Sequence, residues 1–182
     1  PSEWKLSIRQ PIAETVKSLT VNPTFIGFTK GLRAFVYLYL LRPLDTFLTH
    51  IPWWYTMGIF TAIGYFTVGL RFAIITILLL FFIAACGIWT QSMVTLSSVL
   101  VSVALCFALG VPLGIIASYN KRFRDIQNVI LDAMQTLPYF CYLIPVLMFF
   151  GGGIVSAVLA TVIYAIPPII RLTSLGLTQV SG

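Results

Sequence analysis

Pro138, Pro145, Pro167 and Pro168 interrupt a stretch from Asp132 to Arg171 that is otherwise mainly apolar and carries a Gly151-Gly152-Gly153 corner at its centre. Proline has no backbone N–H and disfavours helical geometry in the residue before it, so each one placed in an apolar helix frees carbonyl groups. At membrane depth an unpaired peptide group costs several kcal/mol unless protein or a wet cavity satisfies it. The stretch is therefore expected to border a pathway or a packed bundle rather than lipid, and function is to be sought there.

That argument requires a membrane protein, and composition supplies one. Of 182 residues 59% are hydrophobic and only 9% charged, against about 25% charged in soluble domains. The net charge of +6 comes from eleven Lys and Arg against five acids. Most of the cations lie in the N-terminal segment or in short connections, a pattern of topology signals and bilayer contact rather than of a nucleic-acid-binding face. Cys86, Cys106 and Cys141 sit in apolar runs with no CxxC pair and no neighbouring histidine, so no metal site is expected and the three read as buried small hydrophobes. The chain opens at Pro1 without a secretory signal and stops at Gly182, which leads us to expect a fragment.

Residues 1–52 read as a polar tail, including Trp4, Lys5, Arg9, Glu14 and Lys17, followed by interfacial amphipathic helices. Arg33, Arg42 and Asp45 interrupt any run of the ~20 apolar residues that a spanning helix needs. Leu44, Phe47, Leu48 and Ile51 share one helical face, so this segment is expected to lie on the membrane, with Trp53, Trp54 and Tyr55 as an aromatic belt. His50 has no partner for a base or metal role and reads as an interfacial polar residue. Residues 53–89 suit a transmembrane hairpin turning at Gly69-Leu70-Arg71.

Residues 90–182 carry a span from about Thr95 to Ala117, in which Gly110 and Gly114 share a face around Pro112 and favour close helix packing. Ser118 to Asp125 reads as a polar loop, and its Lys121, Arg122 and Arg124 place it in the cytoplasm. Counting spans then puts the N-terminal tail outside, against the mild contrary signal of Arg33 and Arg42. A fourth span begins near Ile126. Asn128, Asp132, Gln135, Tyr139 and Tyr142 recur along it at steps of four and three, giving one polar stripe. Such a stripe either lines a pathway or hydrogen-bonds neighbouring helices, and the break at Pro138 favours the pathway. Asp132, near water and Arg124, fits an interfacial ion pair as well as a functional role. A fifth span, about Ile154 to Ile170, is expected to end at Pro167-Pro168. The candidate pathway residues are thus Asn128, Asp132, Gln135, Thr136, Pro138, Tyr139, Tyr142, Pro167 and Pro168. Tyr139 and Tyr142 would offer aromatic faces to a cation, or else merely pack.

From Gly87 to Val180 the sequence resembles the permease subunits of glycine betaine/proline betaine importers of the ABC superfamily. The resemblance is carried by Gln91-Ser92-Met93-Val94-Thr95-Leu96, Gly110-Val111-Pro112-Leu113-Gly114, Leu131-Asp132-Ala133-Met134-Gln135-Thr136-Leu137-Pro138, and Ala165-Ile166-Pro167-Pro168-Ile169-Ile170-Arg171-Leu172-Thr173. It implies an all-α type I importer fold in a bacterial-type plasma membrane, with an amphipathic helix and about five transmembrane helices in this stretch. It also implies a second permease subunit in a homodimer, cytoplasmic ATPases holding ATP and Mg, and an external receptor protein or domain. The coupling helix of that family would follow Gln179-Val180, beyond this sequence, so residues 90–182 read as the first part of the core. A secondary transporter or channel would also use broken helices, but usually needs an internal repeat and more intramembrane ligands. An intramembrane enzyme lacks a second spanning aspartate, a spanning histidine and a phosphate-binding loop.

Overall fold

The computed structural model describes residues 22–180, so Trp4, Lys5, Arg9, Glu14 and Lys17 lie outside the described residues. The regular elements within it are helices. Pro23–Phe35 (α1) starts where Asn22 accepts a hydrogen bond from the Thr24 N–H at 3.1 Å, with Pro23 in the first turn, where its missing donor does no harm. It runs without interruption through a π turn, Val36–Leu41, into Arg42–His50 (α2). In an α-helix residues five apart point about 140° away from each other at 100° per residue. The wider i→i+5 turn lets Val36 and Leu41, 2% and 1% exposed, share the face that enters the core.

The expected surface helix from Leu44 to Ile51 is thus the end of a longer rod. Leu44 packs against the buried cluster, and α2 rests on the long helix described below. Phe47 on the same face stays 63% exposed. Apolar periodicity cannot tell a lipid surface from a protein one, which is why the sequence suggested a helix lying on the membrane. His50 is exposed and donates from Nδ1 to the Thr46 carbonyl at 2.8 Å.

Trp53–Thr67 (α3) and Leu70–Ala85 (α4) form the hairpin. At 15 and 16 residues they reach roughly 22–24 Å, short of a ~30 Å hydrocarbon core. Among the described residues two helices are long and apolar enough to cross a membrane alone, Trp89–Tyr119 (α5) and the segment Ile154–Gln179 of Ile154–Val180 (α8). Lys121–Thr136 (α6) and Phe140–Phe150 (α7) meet at 94° and make a third crossing only if the bent pair is one span. Lys121, Arg122 and Arg124 form the first turn of α6 rather than a loop, because extended Asn120 ends α5 and caps α6 by accepting from the Phe123 N–H at 3.2 Å. Cations in a first helical turn oppose the helix dipole, so this cluster serves something other than helix stability. The positive-inside signal read from the sequence is one such role.

The most extensive contact joins α5 to α8. A Cβ on Gly110 would lie 2.8 Å from Ile169 Cγ2, and one on Gly114 would lie 2.6 Å from Thr173 Cβ and 2.8 Å from the Ile170 carbonyl oxygen. Ile166, Ile169, Ile170 and Thr173 follow helical spacing, so the two glycines and these four residues are facing stripes. Val101 and Cys106 of α5, Val155, Val158 and Val162 of α8, and Val36 and Leu41 of the rod complete the core. The buried hydroxyls of Ser97 and Ser102 bond back to Val94 and Ser98 carbonyls, both at 2.8 Å, which keeps polar groups satisfied within the helix. Cys106 is buried, but Cys86 and Cys141 are exposed, contrary to the expectation that all three are interior.

The glycine contact leads to a stability prediction. Gly114→Ala is expected to cost about 1–3 kcal/mol through overpacking. Gly176→Ala, where nothing lies within 4 Å of an added Cβ, is expected to be neutral or to gain about 0.5–1 kcal/mol. Thermal unfolding of the detergent-purified protein followed by near-UV circular dichroism checks the difference.

Candidate functional site

The site is organised by the corner at Pro138. Leu137, pushed into extended geometry with ψ 135°, ends α6, as the residue before a proline is biased to do. The last carbonyls of a helix have no internal partner, and here side chains supply two. Thr136 Oγ donates to the Ala133 carbonyl at 2.9 Å and the Tyr142 hydroxyl to the Met134 carbonyl at 2.5 Å. Two of the carbonyls freed near Pro138, those of Ala133 and Met134, are therefore engaged by the protein.

The right-angle bend divides the polar stripe. Asn128 and Asp132 line a cavity of about 250 Å3 between α6 and α8, together with Arg124, Arg171, Ser174 and Leu175. Asp132 pairs with Arg171 rather than with Arg124. Gln135 and Thr136 are exposed at the end of α6. Beyond the corner, Tyr139 lines a groove of about 340 Å3 between α7 and α8, shared with Leu143, Ala157, Ala160, Thr161 and Tyr164. Tyr142 is half-buried, its hydroxyl committed to the corner, so it is a bracing residue and not a second groove face. A single continuous face from Asn128 to Tyr142 is excluded, since the periodicity that suggested it holds only while the helix continues.

Tyr164 is the groove residue that the sequence reading missed. Its ring centroid lies 6.4 Å from that of Tyr139 at 68°, and Tyr139 also packs on Phe140 at 3.8 Å. The signal was present: Ala157, Ala160, Thr161 and Tyr164 are spaced as one helical stripe of small and polar residues. Attention to Pro167-Pro168 as a break obscured it. That break does not occur, for α8 runs through both prolines, as α5 runs through Pro112 and α7 through Pro145. Pro167 is fully buried, whereas Pro168 is exposed. Their missing N–H groups leave the Ile163 and Tyr164 carbonyls without their i+4 donors, beside the groove.

A second residue whose role the sequence did not reveal is Arg33. Its guanidinium donates to the Phe150 and Gly152 carbonyls at 3.1 and 3.3 Å, and so ties the rod to the corner between α7 and α8. Gly151 and Gly153, with φ of +75° and +134°, adopt backbone conformations that glycine reaches without a Cβ clash. The Ser156 hydroxyl donates to the Gly151 carbonyl. The groove walls are thus held at the Pro138 end by Tyr142 and at the glycine end by Arg33 and Ser156.

A right-angled break in a helix bordering a groove is the arrangement expected where non-helical backbone lines a cavity, and comparison of the sequence finds its likeness among transport components. Residues 110–181 match the family described as binding-protein-dependent transport system inner membrane component. The glycine betaine/proline betaine transport system permease protein ProW of Escherichia coli (strain K12) is 42% identical over 142 residues, 78% of this chain and 40% of that protein. The glycine betaine transport system permease protein OpuAB of Bacillus subtilis (strain 168) is 38% identical over 178 residues, 94% of this chain and 61% of that protein. The trimethylamine N-oxide transport system permease protein TmoV of Ruegeria pomeroyi is 38% identical over 131 residues, 72% of this chain and 20% of that protein. The chain thus spans less than two thirds of the length of each.

Tyr142→Phe tests the bracing role. It leaves the Met134 carbonyl without that donor and is expected to destabilise the protein by about 1–3 kcal/mol. A thermal melt of the detergent-purified protein should show the loss.

Proposed function

We propose that this chain forms part of the translocation pathway of an ATP-driven importer for quaternary-amine compatible solutes, of the glycine betaine, proline betaine or choline kind. The observation that carries the proposal is the groove in which Tyr139 and Tyr164 converge beside the broken helix at Pro138. A quaternary ammonium ion has no N–H to donate, so a tight carboxylate site would hold it by charge alone and impede release. Aromatic faces attract it by about 0.5–2 kcal/mol each, enough to favour passage over trapping. The Thr161 hydroxyl, which donates to Ala157 at 2.8 Å, keeps lone pairs for water in the groove.

The substrate class is supported by the names of relatives that carry glycine betaine, proline betaine and trimethylamine N-oxide. In this reading the chain is a non-catalytic membrane component. A second copy completes the pathway as a homodimer, cytoplasmic ATPase subunits bind ATP and Mg, and an external receptor delivers the solute. The cationic turn from Lys121 to Arg124 faces the cytoplasm, where the ATPases work.

The test uses the full-length permease reconstituted with its ATPase and receptor. Tyr139→Leu and Tyr164→Leu are each expected to slow uptake about 2- to 30-fold, the range that 0.5–2 kcal/mol corresponds to, with assembly, receptor binding and basal ATPase retained. Phe at either position should preserve uptake, since it keeps the aromatic face. Uptake that persists with a catalytically dead ATPase and follows an ion gradient would establish a secondary transporter instead.

A further inference from the structure

The cavity between α6 and α8 is chemically unlike the groove. Its lining carries two guanidinium groups, Arg124 and Arg171, and one carboxylate, Asp132. Asp132 accepts from Nη2 of Arg171, forming the ion pair found among the described residues. Arg171 Nε has no hydrogen-bond partner, and neither has the hydroxyl of Ser174, a residue only 5% exposed. A guanidinium offers five N–H donors in a planar fork suited to two carboxylate oxygens, and Asp132 engages one nitrogen of it. Arg171 and Ser174 stand three residues apart on α8, on one face. What this pair lacks is an acceptor with two oxygens.

A simple anion entering there would meet two guanidinium groups but also stand beside the Asp132 carboxylate, and a simple cation would leave both α8 donors unfilled. A zwitterion satisfies both sides. Its carboxylate takes the Arg171 fork and the Ser174 hydroxyl, and its cationic end takes up the Asp132 carboxylate that the exchange releases. We propose that this cavity is a subsite for the carboxylate of a zwitterionic quaternary amine, loaded by exchange with Asp132 on Arg171. The inference rests on the importer reading given above and makes the cavity a second station on the route, separate from the tyrosine groove, where the carboxylate of the solute is held. The exchange also undoes the ionic tie between α6 and α8, so solute arrival and loosening of these two helices become one event.

The deciding experiment is equilibrium binding of radiolabelled glycine betaine to the purified, receptor-free complex of full-length permease and ATPase, with choline as the competitor lacking a carboxylate. Saturable binding that choline displaces poorly is expected, weakened about tenfold in Ser174→Ala and in Arg171→Lys. Arg171→Lys keeps the positive charge opposite Asp132, so the complex should assemble even if Ser174→Ala impairs folding. Absence of saturable binding, equal displacement by choline, or unchanged affinity in both variants overturns the proposal. Uptake by the unsubstituted reconstituted system is measured alongside. Uptake of glycine betaine without such binding defeats this subsite alone, whereas no ATP-dependent uptake of any quaternary amine defeats the importer reading itself.

Discussion

Every part of this structure answers to the rule that backbone polar groups in an apolar medium must find partners. The chain meets the rule in different ways at different prolines. At Pro138 the helix gives way, and Thr136 and Tyr142 bond the carbonyls it exposes. At Pro112, Pro145, Pro167 and Pro168 the helix continues, and the carbonyl four residues before each proline is left to find a donor outside its own ladder. The contrast is one of context. Pro167 is buried in α8, which packs extensively on α5, whereas Pro138 is exposed; exposure alone does not decide the outcome, since the helices also continue through exposed Pro112, Pro145 and Pro168.

The geometry of the candidate pathway follows from that single failure of the helix. Because α7 leaves α6 at a right angle, it comes to rest on α8 and not beside α5. The groove opens between α7 and α8, and the charged cavity between α6 and α8. Thus α8 serves both sites, presenting Ala157, Ala160, Thr161 and Tyr164 to one and Arg171, Ser174 and Leu175 to the other. The two sets share one face of the helix at different heights, and the opposite face carries Ile166, Ile169, Ile170 and Thr173 against the glycines of α5. The α5–α8 pair is the fixed frame, and α6–α7 is the bent element that rests on it.

Much of this was legible in the sequence, but unevenly. The membrane class follows from the scarcity of charge, and Gly110 and Gly114 mark a close helix approach because their four-residue spacing is a property of the helix itself. The stripe from Asn128 to Tyr142 misled, since periodicity assumes a continuous helix and Pro138 ends it. The opposite error arose at Pro167-Pro168, where local backbone preference points to a break and tertiary packing overrides it. Arg33 read as an obstacle to spanning and as a mild topology signal. Its bonds to Phe150 and Gly152 join residues more than a hundred positions apart, and no local pattern encodes such a partner. Tyr164 was hidden for a similar reason, as its role depends on which helix α7 leans against.

The proposed role of the groove between α7 and α8, a wet route for quaternary ammonium ions, is open to cysteine chemistry. In the full-length protein with Cys86, Cys106 and Cys141 replaced by serine or alanine, Ala160→Cys is challenged with a trimethylammonium-bearing thiosulfonate reagent during ATP-driven turnover. A wet route requires modification from the aqueous phase, slowed by a transported quaternary amine. A cysteine at this position that reacts only with membrane-permeant reagents, or whose modification is indifferent to solute, would contradict it.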